Sequence, residues 1–193
     1  SAERSVQGDA VTDPVTYWRQ EHEYYLHLLR LLQTQVDAFH AGREPDYALM
    51  LDILSYMREH SDQNHHPRED VAFARLARHC PEVELVLARL QQEHRVIAHA
   101  GKLLATHIAA VLQGVVIGRD EIEAAASTYL VYYQNHIRVE DTAILPRAAQ
   151  HLTDADWDAV RRAIPFVPDP LFGEQPQERF RKLRQAIAGR ETV

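Results

Sequence analysis

Apolar residues recur every three or four positions over most of the chain, and proline and glycine punctuate the pattern. Asp13 followed by Pro14 has the form of a helix N-cap with proline at the first helical position. Gly42 ends an apolar face that includes Leu26, Leu29, Leu32 and Val36. The pattern predicts a first helix over about residues 14–40.

Three further helical patterns follow. The second is interrupted or kinked by SDQNHHPRED near Pro67 and then resumes as VAFARLARH. The third begins at Pro81 and ends at Gly114, and the fourth covers residues 119–145, with Pro146 as a kink or a stop. Long amphipathic helices, short links and no alternating strand pattern predict an all-α protein, an up-down-up-down four-helix bundle.

Shorter elements follow the fourth helix. TDADWDAVRRAI is typical of a capped short helix, FVPDPLFGEQP of a proline-rich connector and QERFRKLRQAI of a final amphipathic helix. We therefore divide the chain into an N-terminal segment (1–13), a bundle (14–151) and a short C-terminal helical extension (152–193). The extension is expected to pack on the bundle or to reach a second copy of the chain in a homodimer.

Composition narrows the choice of partners. The chain has 21 Lys+Arg against 28 Asp+Glu, a net charge of -7, which argues against nucleic acid. No basic run marks a membrane surface, and no apolar run approaches about 18 residues. The first residues lack the features of a signal peptide, so we expect a cytoplasmic protein.

A single cysteine, Cys80, leaves nitrogen and oxygen as metal ligands, and 12 histidines are present.

Two repeated motifs supply such ligands. HHPREDVAF (65–73) and HIRVEDTAI (136–144) each place a histidine four residues before a glutamate, which puts both side chains on one helix face. QEHEYYLHLLRLL (20–32) and QEHRVIAHAGKLL (92–104) repeat a Gln-Glu-His start. Folding the two matched halves together would bring one set of side chains into a single core: His22, His65, Glu69, His94, His136 and Glu140.

The chemistry of this set favours a first-row metal. Four neutral imidazoles and two carboxylates suit iron, manganese or zinc, and the carboxylates can bridge two ions. This would leave room for a bridging solvent and for an open position. One His-x-x-x-Glu pair alone is also typical of a surface ion pair, but two pairs in matched halves favour ligation.

The pattern of His22, HHPRED, Glu93-His94 and HIRVED resembles the hemerythrin-like, or HHE cation-binding, family over about residues 15–150. The DPLFG stretch (169–173) is similar to the tail of some bacterial members. The resemblance implies a four-helix bundle with two non-heme iron ions and a bridging oxo or hydroxo group, with zinc or manganese as alternatives. It also implies binding of dioxygen, nitric oxide or peroxide, and it puts the six residues named above at the family's ligand positions.

One position departs from the family's oxygen carriers. These have a fifth iron-binding histidine four residues after the first on the third helix, whereas here His99 follows His94 by five residues. At that spacing the side chain lies about 140° around the helix. The departure argues against an oxygen carrier. A di-iron enzyme that reduces peroxide or nitric oxide or oxidises iron is one alternative, and a helical dimerisation module with a structural metal is another.

Several neighbours of the six residues compete with them or have simpler interpretations. His66, which stands four residues before Asp70, is an alternative to His65. Asp141 is an alternative to Glu140. The repeat favours His65 and Glu140. His60 is either a partner of a ligand or a ligand itself. Other side chains are expected to lie away from the site or in the core. Glu21 and Glu93 are expected to be solvated, His27 and His99 to face another helix or solvent, Tyr24, Tyr25, Tyr56, Tyr132 and Tyr133 to lie in the core, and Leu26, Leu29, Val71, Ile97 and Ile144 to keep water out.

Overall fold

The computed structural model describes residues 13–189, and every regular element in that range is a helix. The prediction of an all-α protein is confirmed. Of the predicted N-terminal segment, only Asp13 is among the described residues. The first two long helices are α1 (Pro14–His40) and a run formed by α2 (Tyr47–Tyr56), a π-helical segment (Met57–His65) and α3 (His66–His79).

The later helices follow the predicted order. The third long helix is a 3₁₀ turn (Pro81–Val83) followed by α4 (Glu84–Leu112), and the fourth is α5 (Arg119–Val139), a π-helical segment (Glu140–Ile144) and α6 (Leu145–His151). The extension contains α7 (Asp154–Ala163), a 3₁₀ turn (Glu178–Phe180) and α8 (Arg181–Ala188).

Capping residues account for the helix ends. The Asp13 carboxylate accepts a hydrogen bond from the Thr16 N–H at 3.0 Å, which satisfies a donor that the helix itself leaves free. Gly42 and Gly114 have φ of 74° and 81°, a left-handed conformation that favours glycine after a helix. Thr153 and Asp156 form a reciprocal capping box at the start of α7.

Neither internal proline ends its helix. Pro67 and Pro146 each come shortly after a π-helical segment, and the chain remains helical to His79 and His151. Proline lacks an N–H and its ring clashes with the carbonyl four residues earlier, so a locally wider turn lets the helix continue. Of the two outcomes predicted for Pro146, a stop is therefore wrong. Polar side chains in and beside the wide turns before Pro67 are buried: His60, Ser61, Asn64, His65 and His66.

The long helices pack around a polar centre with an apolar cluster on each side. α1 contacts α2, α5 and α6, while α4 contacts α2, α3 and α5. One cluster includes Tyr25 and Leu29, and the other includes Trp18 and Phe73. His22 lies on α1 between Trp18 and Tyr25, so the predicted ligands are enclosed from both ends of the bundle.

The C-terminal extension packs on the bundle of its own chain, one of the two predicted arrangements. Trp157 of α7 contacts Trp18 with ring centroids 5.3 Å apart. Leu171, Phe180 and Leu183 are each buried within the cluster that contains Tyr25. The extension thus contributes to both apolar clusters.

One helix of the described chain, Pro81–Leu112, is long and apolar enough to cross a membrane, with a mean hydropathy of 1.2 over 18 residues. The same helix supplies His94 to the buried polar centre. Helices that line the core of a soluble bundle can have the same length and composition, so this property is weak support for a membrane span.

Candidate metal centre

The four predicted histidines point their Nε2 atoms toward Glu69 and Glu140, whose side chains are fully buried. Oε1 of Glu69 lies 3.4 Å from His22 Nε2 and 3.1 Å from His65 Nε2. Its other oxygen, Oε2, lies 3.4 Å from His94 Nε2. The two oxygens of this carboxylate therefore face different histidines, His22 and His65 on one side and His94 on the other.

Glu140 repeats the arrangement from the opposite helix. Its Oε1 lies 2.9 Å from His136 Nε2 and 3.5 Å from His94 Nε2. Its Oε2 lies 3.5 Å from His22 Nε2. Two donor groups result, one around His22 and His65 and one around His94 and His136, with both carboxylates shared between them.

A second layer of carboxylates binds the outer nitrogen of each histidine. Asp141 Oδ1 lies 2.8 Å from His22 Nδ1, and Glu21 Oε2 lies 2.7 Å from His65 Nδ1. Asp70 Oδ1 lies 2.9 Å from His94 Nδ1, and Glu93 Oε2 lies 3.0 Å from His136 Nδ1. Such contacts orient an imidazole and leave Nε2 as the metal-binding atom.

These outer contacts run around the bundle in one direction. Each acidic residue is the sequence neighbour of a central residue on its own helix but binds the histidine of the next helix. Glu21 of the first long helix binds His65 of the second, and Asp70 of the second binds His94 of the third. Glu93 of the third binds His136 of the fourth, and Asp141 of the fourth binds His22 of the first. The prediction that Glu21 and Glu93 are solvated is wrong, because the helix face beside each ligand meets the neighbouring helix.

Electrostatics favour a cation in this centre. Burial opposes a charge on His22, but the hydrogen bond with Asp141 and the proximity of Glu69 and Glu140 raise its pKa to about 10. Burial likewise opposes a charge on His94, yet its contacts with Asp70, Glu140 and Glu69 raise its pKa to about 12. In the metal-free protein, protons on the imidazoles therefore balance the buried carboxylates, and a metal ion would replace them.

The donors fit a first-row metal ion. His22 Nε2 and His65 Nε2 are 3.1 Å apart. Two nitrogens at right angles on one ion, each about 2.1 Å from it, would be about 3 Å apart. Buried side-chain atoms that have no hydrogen-bond partner among the described residues include the two Nε2 atoms of His94 and His136 and all four oxygens of Glu69 and Glu140. Unsatisfied buried atoms are costly, and a bound cation would satisfy them together.

The hemerythrin HHE cation-binding domain, as a family model, matches residues 13–148. This chain belongs to the hemerythrin HHE family. The resemblance seen in the motifs is thereby confirmed. No curated protein and no solved structure matches the chain. For a member of the hemerythrin family, the buried His and Glu clusters are the candidate cation sites.

His66 of this hemerythrin domain is predicted from the sequence only as an alternative to His65. Both are buried, and His66 has a ligating atom within 4.8 Å of those of Glu69, His94 and His136. Its ring, however, is stacked on His94 with centroids 4.1 Å apart and an interplanar angle of 9°. An imidazole lone pair lies in the plane of its ring. Two nearly parallel rings therefore cannot both point at one ion, and His66 acts here as a packing partner of His94.

The other side chains that the sequence singles out lie in different surroundings. His60 Nε2 lies 3.0 Å from Glu21 Oε1, so it contacts the partner of His65. His99 is exposed and outside both donor groups, so the fifth histidine of hemerythrin oxygen carriers has no counterpart at that position. Tyr25, Tyr56 and Tyr133 are buried as predicted, whereas Tyr132 is 46% exposed and its predicted core position is wrong. Half-buried side chains include His27, Tyr24, Leu26 and Val71, and fully buried apolar ones include Leu29, Ile97 and Ile144.

Proposed function

We propose that this chain is a non-heme di-iron protein of the hemerythrin type that binds dioxygen, nitric oxide or peroxide. The proposal rests mainly on Glu69, because its Oε1 faces the Nε2 atoms of His22 and His65 while its Oε2 faces Nε2 of His94, in the other donor group. A site for a single ion would need only one of the two donor groups, either His22 with His65 or His94 with His136. His22 and His65 would hold one iron, His94 and His136 the other, and Glu69 and Glu140 would bridge them.

Bound iron would supply a redox-active centre with an open position for a small ligand. The protein's own contribution is orientation and enclosure. Asp141 and Glu93 hold the rings of His22 and His136 from outside, which fixes Nε2 as the inward atom. Leu29, Ile97 and Ile144 are fully buried, and their apolar surfaces exclude bulk water from the bundle core.

The proposal includes an up-down-up-down arrangement of the four long helices, as the sequence predicts. Short links join consecutive helices, and the outer carboxylates connect each helix to the next and the fourth to the first. A protein of this kind would serve sensing, storage or defence against reactive small molecules in the cytoplasm.

Tests of the proposal begin with protein produced in iron-replete cells. Its iron and zinc contents are measured, and its near-ultraviolet and visible spectrum is recorded before and after anaerobic reduction and after re-exposure to air. We expect a near-ultraviolet band that disappears on reduction and returns with air. His99→Ala is the matched control for His94→Ala, since both histidines lie on α4 and only His94 is in the centre.

Three outcomes separate the candidate functions. Binding that stops after one equivalent of ligand supports the proposal, whereas continued consumption of peroxide or nitric oxide with a reductant would indicate a di-iron enzyme. One tightly held zinc and no oxygen-dependent band would instead indicate a dimerisation module with a structural metal. The spectrum of His94→Ala should lose the band, and His99→Ala should keep it.

A further inference from the structure

The segment after α7 reaches a buried polar network next to the proposed metal centre. Asp169 is 8% exposed, and its Oδ2 accepts a hydrogen bond from the Tyr56 hydroxyl at 2.8 Å. The same oxygen lies 3.5 Å from Nε2 of His60. The family match ends at residue 148, so Asp169 enters this network from outside the matched domain.

His60 connects Asp169 to a predicted metal ligand. Its Nε2 lies 3.0 Å from Glu21 Oε1, and Glu21 Oε2 lies 2.7 Å from Nδ1 of His65. Arg68 Nη2 also donates to Glu21, at 3.2 Å. Glu21 is itself 1% exposed, so its position depends on these few contacts.

The turn that presents Asp169 is held firmly in place. Asp169 Oδ1 accepts hydrogen bonds from the N–H groups of Leu171 and Phe172, both at 2.8 Å. Phe172 stacks on Tyr24 with ring centroids 4.1 Å apart and an interplanar angle of 5°. A Cβ on Gly173 would lie 2.4 Å from the Asp169 carbonyl oxygen, so this close turn requires glycine.

We propose that Asp169 is a positioning residue for the His65 side of the metal centre, acting through His60 and Glu21. The proposal rests on the proposed di-iron function. Asp169 Oδ2 is a second acceptor beside His60 Nε2, and it favours the tautomer with the hydrogen on Nε2, which donates to Glu21. Glu21 held in this way keeps His65 Nδ1 bonded and His65 Nε2 directed at Glu69.

Asp169→Asn is the sharpest variant for a test. The asparagine oxygen can still accept from Leu171 and Phe172, so the turn is kept. Its NH₂ group would face Tyr56 and His60 in place of an acceptor, which weakens the donation from His60 to Glu21. Arg179→Ala is the matched control, because Arg179 lies in the same extension and fastens it to the bundle through an exposed ion pair with Glu59. Tyr56→Phe removes the hydroxyl partner of Asp169 and leaves the turn intact.

The full chain is loaded with Co²⁺ alone, and two properties are followed: the visible bands of Co²⁺ and the rate of Co²⁺ loss to excess EDTA. Thermal unfolding of each variant checks the fold. Loss of one of the two ions should be about tenfold faster in Asp169→Asn, with altered visible bands and an unchanged rate for the second ion. Tyr56→Phe should change the same rate in the same direction, and Arg179→Ala should stay within about twofold of the wild type.

The results distinguish this inference from the proposed function. If the wild type holds two Co²⁺ ions and Asp169→Asn loses them at the wild-type rate with unaltered bands, the positioning role is overturned and the di-metal site stands. Equal effects of Asp169→Asn and Arg179→Ala would mean that the extension only stabilises the fold, which also overturns it. A wild type that holds no Co²⁺ overturns both proposals.

Discussion

Asp141 Oδ1 lies 2.8 Å from Nδ1 of His22, on the side of the imidazole opposite to Nε2, which faces Glu69 and Glu140. Asp141 therefore orients a histidine and leaves the central position to its sequence neighbour Glu140. The same division of roles holds for Asp70 beside Glu69. Paired acidic residues in this bundle thus act in two layers, one central and one peripheral.

Asp141→Asn tests the peripheral layer. Loss of the carboxylate charge behind His22 lowers the basicity of Nε2 and loosens the ring, so metal affinity should fall by about 10- to 100-fold. The affinity for Co²⁺ is measured by competition with a chelator of known strength. Asp158→Asn is the control. Asp158 is exposed, and among the described residues its ion pair is with Arg161. Equal affinities of the two variants would argue against an orienting role.

The sequence predicts the order of the helices and brings the six central residues together, because helical periodicity fixes which side chains share a face. It does not predict the outer layer. A residue next to a ligand lies about 100° around the helix, and one chain's pattern does not reveal whether that face meets solvent or another helix. Glu21 and Glu93 were expected to be solvated for this reason. Each long helix has one central residue with an acidic neighbour, as in Glu-His and Glu-Asp, and this recurrence is the signal that could have identified them.

The π-helical segments are a second feature that helical periodicity does not predict. His65 and Glu69 stand four residues apart, as do His66 and Asp70, so on a regular α-helix the two histidines are alternatives about 100° apart. The wide turns of Met57–His65 bury both, together with His60. Pro67 is the signal in the sequence, but it indicates only that the regular hydrogen-bond pattern fails there.

The stability of the metal-free protein should decrease with rising pH. The pKa of His22 rises from an unfolded value of about 6.5 to about 10 in the fold. A raised folded-state pKa stabilises the fold fully below pH of about 6.5, and this contribution is lost as the pH approaches 10. Thermal unfolding of the metal-free chain between pH 6 and 9 should therefore show a falling Tm. A Tm that rises across this range would contradict the assignment of charged imidazoles.

Metal binding should show the opposite dependence on pH. Each histidine must lose its proton before it can bind a metal ion, so binding releases protons and becomes stronger as the pH rises. The increase in Tm caused by Co²⁺ should grow between pH 6 and 8. Calorimetry in two buffers of different ionisation enthalpy counts the released protons, and a count near zero would contradict the exchange of protons for metal.

Tyr25→Phe tests the hydroxyl of a buried tyrosine whose ring packs against that of His65. Tyr25 is fully buried, its ring is 5.2 Å from that of His65, and its hydroxyl has no hydrogen-bond partner among the described residues. An unsatisfied hydroxyl costs about 1–3 kcal/mol, so the metal-free phenylalanine variant should be at least as stable as the wild type. If the hydroxyl donates to a bound ligand, nitric oxide should leave the iron-loaded variant about tenfold faster. An unchanged release rate would exclude this role.

Gly101→Ala tests close packing between α4 and α5. A Cβ on Gly101 would lie 2.8 Å from Cε2 of Tyr129, whose ring is buried. Alanine gains about 1 kcal/mol in helix propensity, but overpacking a rigid buried ring costs about 1–3 kcal/mol. We expect a net loss of about 1 kcal/mol and a Tm lower by about 2–4 °C. In Gly189→Ala the added Cβ would lie 3.4 Å from the Gln185 carbonyl oxygen, so stability should change by less than about 0.5 kcal/mol.

Iron content per chain tests the central claim most directly, namely that Glu69 and Glu140 join two metal ions in one buried site. The wild type and the control Glu23→Gln, an exposed position beside His22, should each hold about two irons per chain. The double variant Glu69→Gln/Glu140→Gln keeps the side-chain shapes but removes both buried charges, so it should hold fewer than about one. A wild type with one iron or none, or a double variant that retains two, would contradict the account.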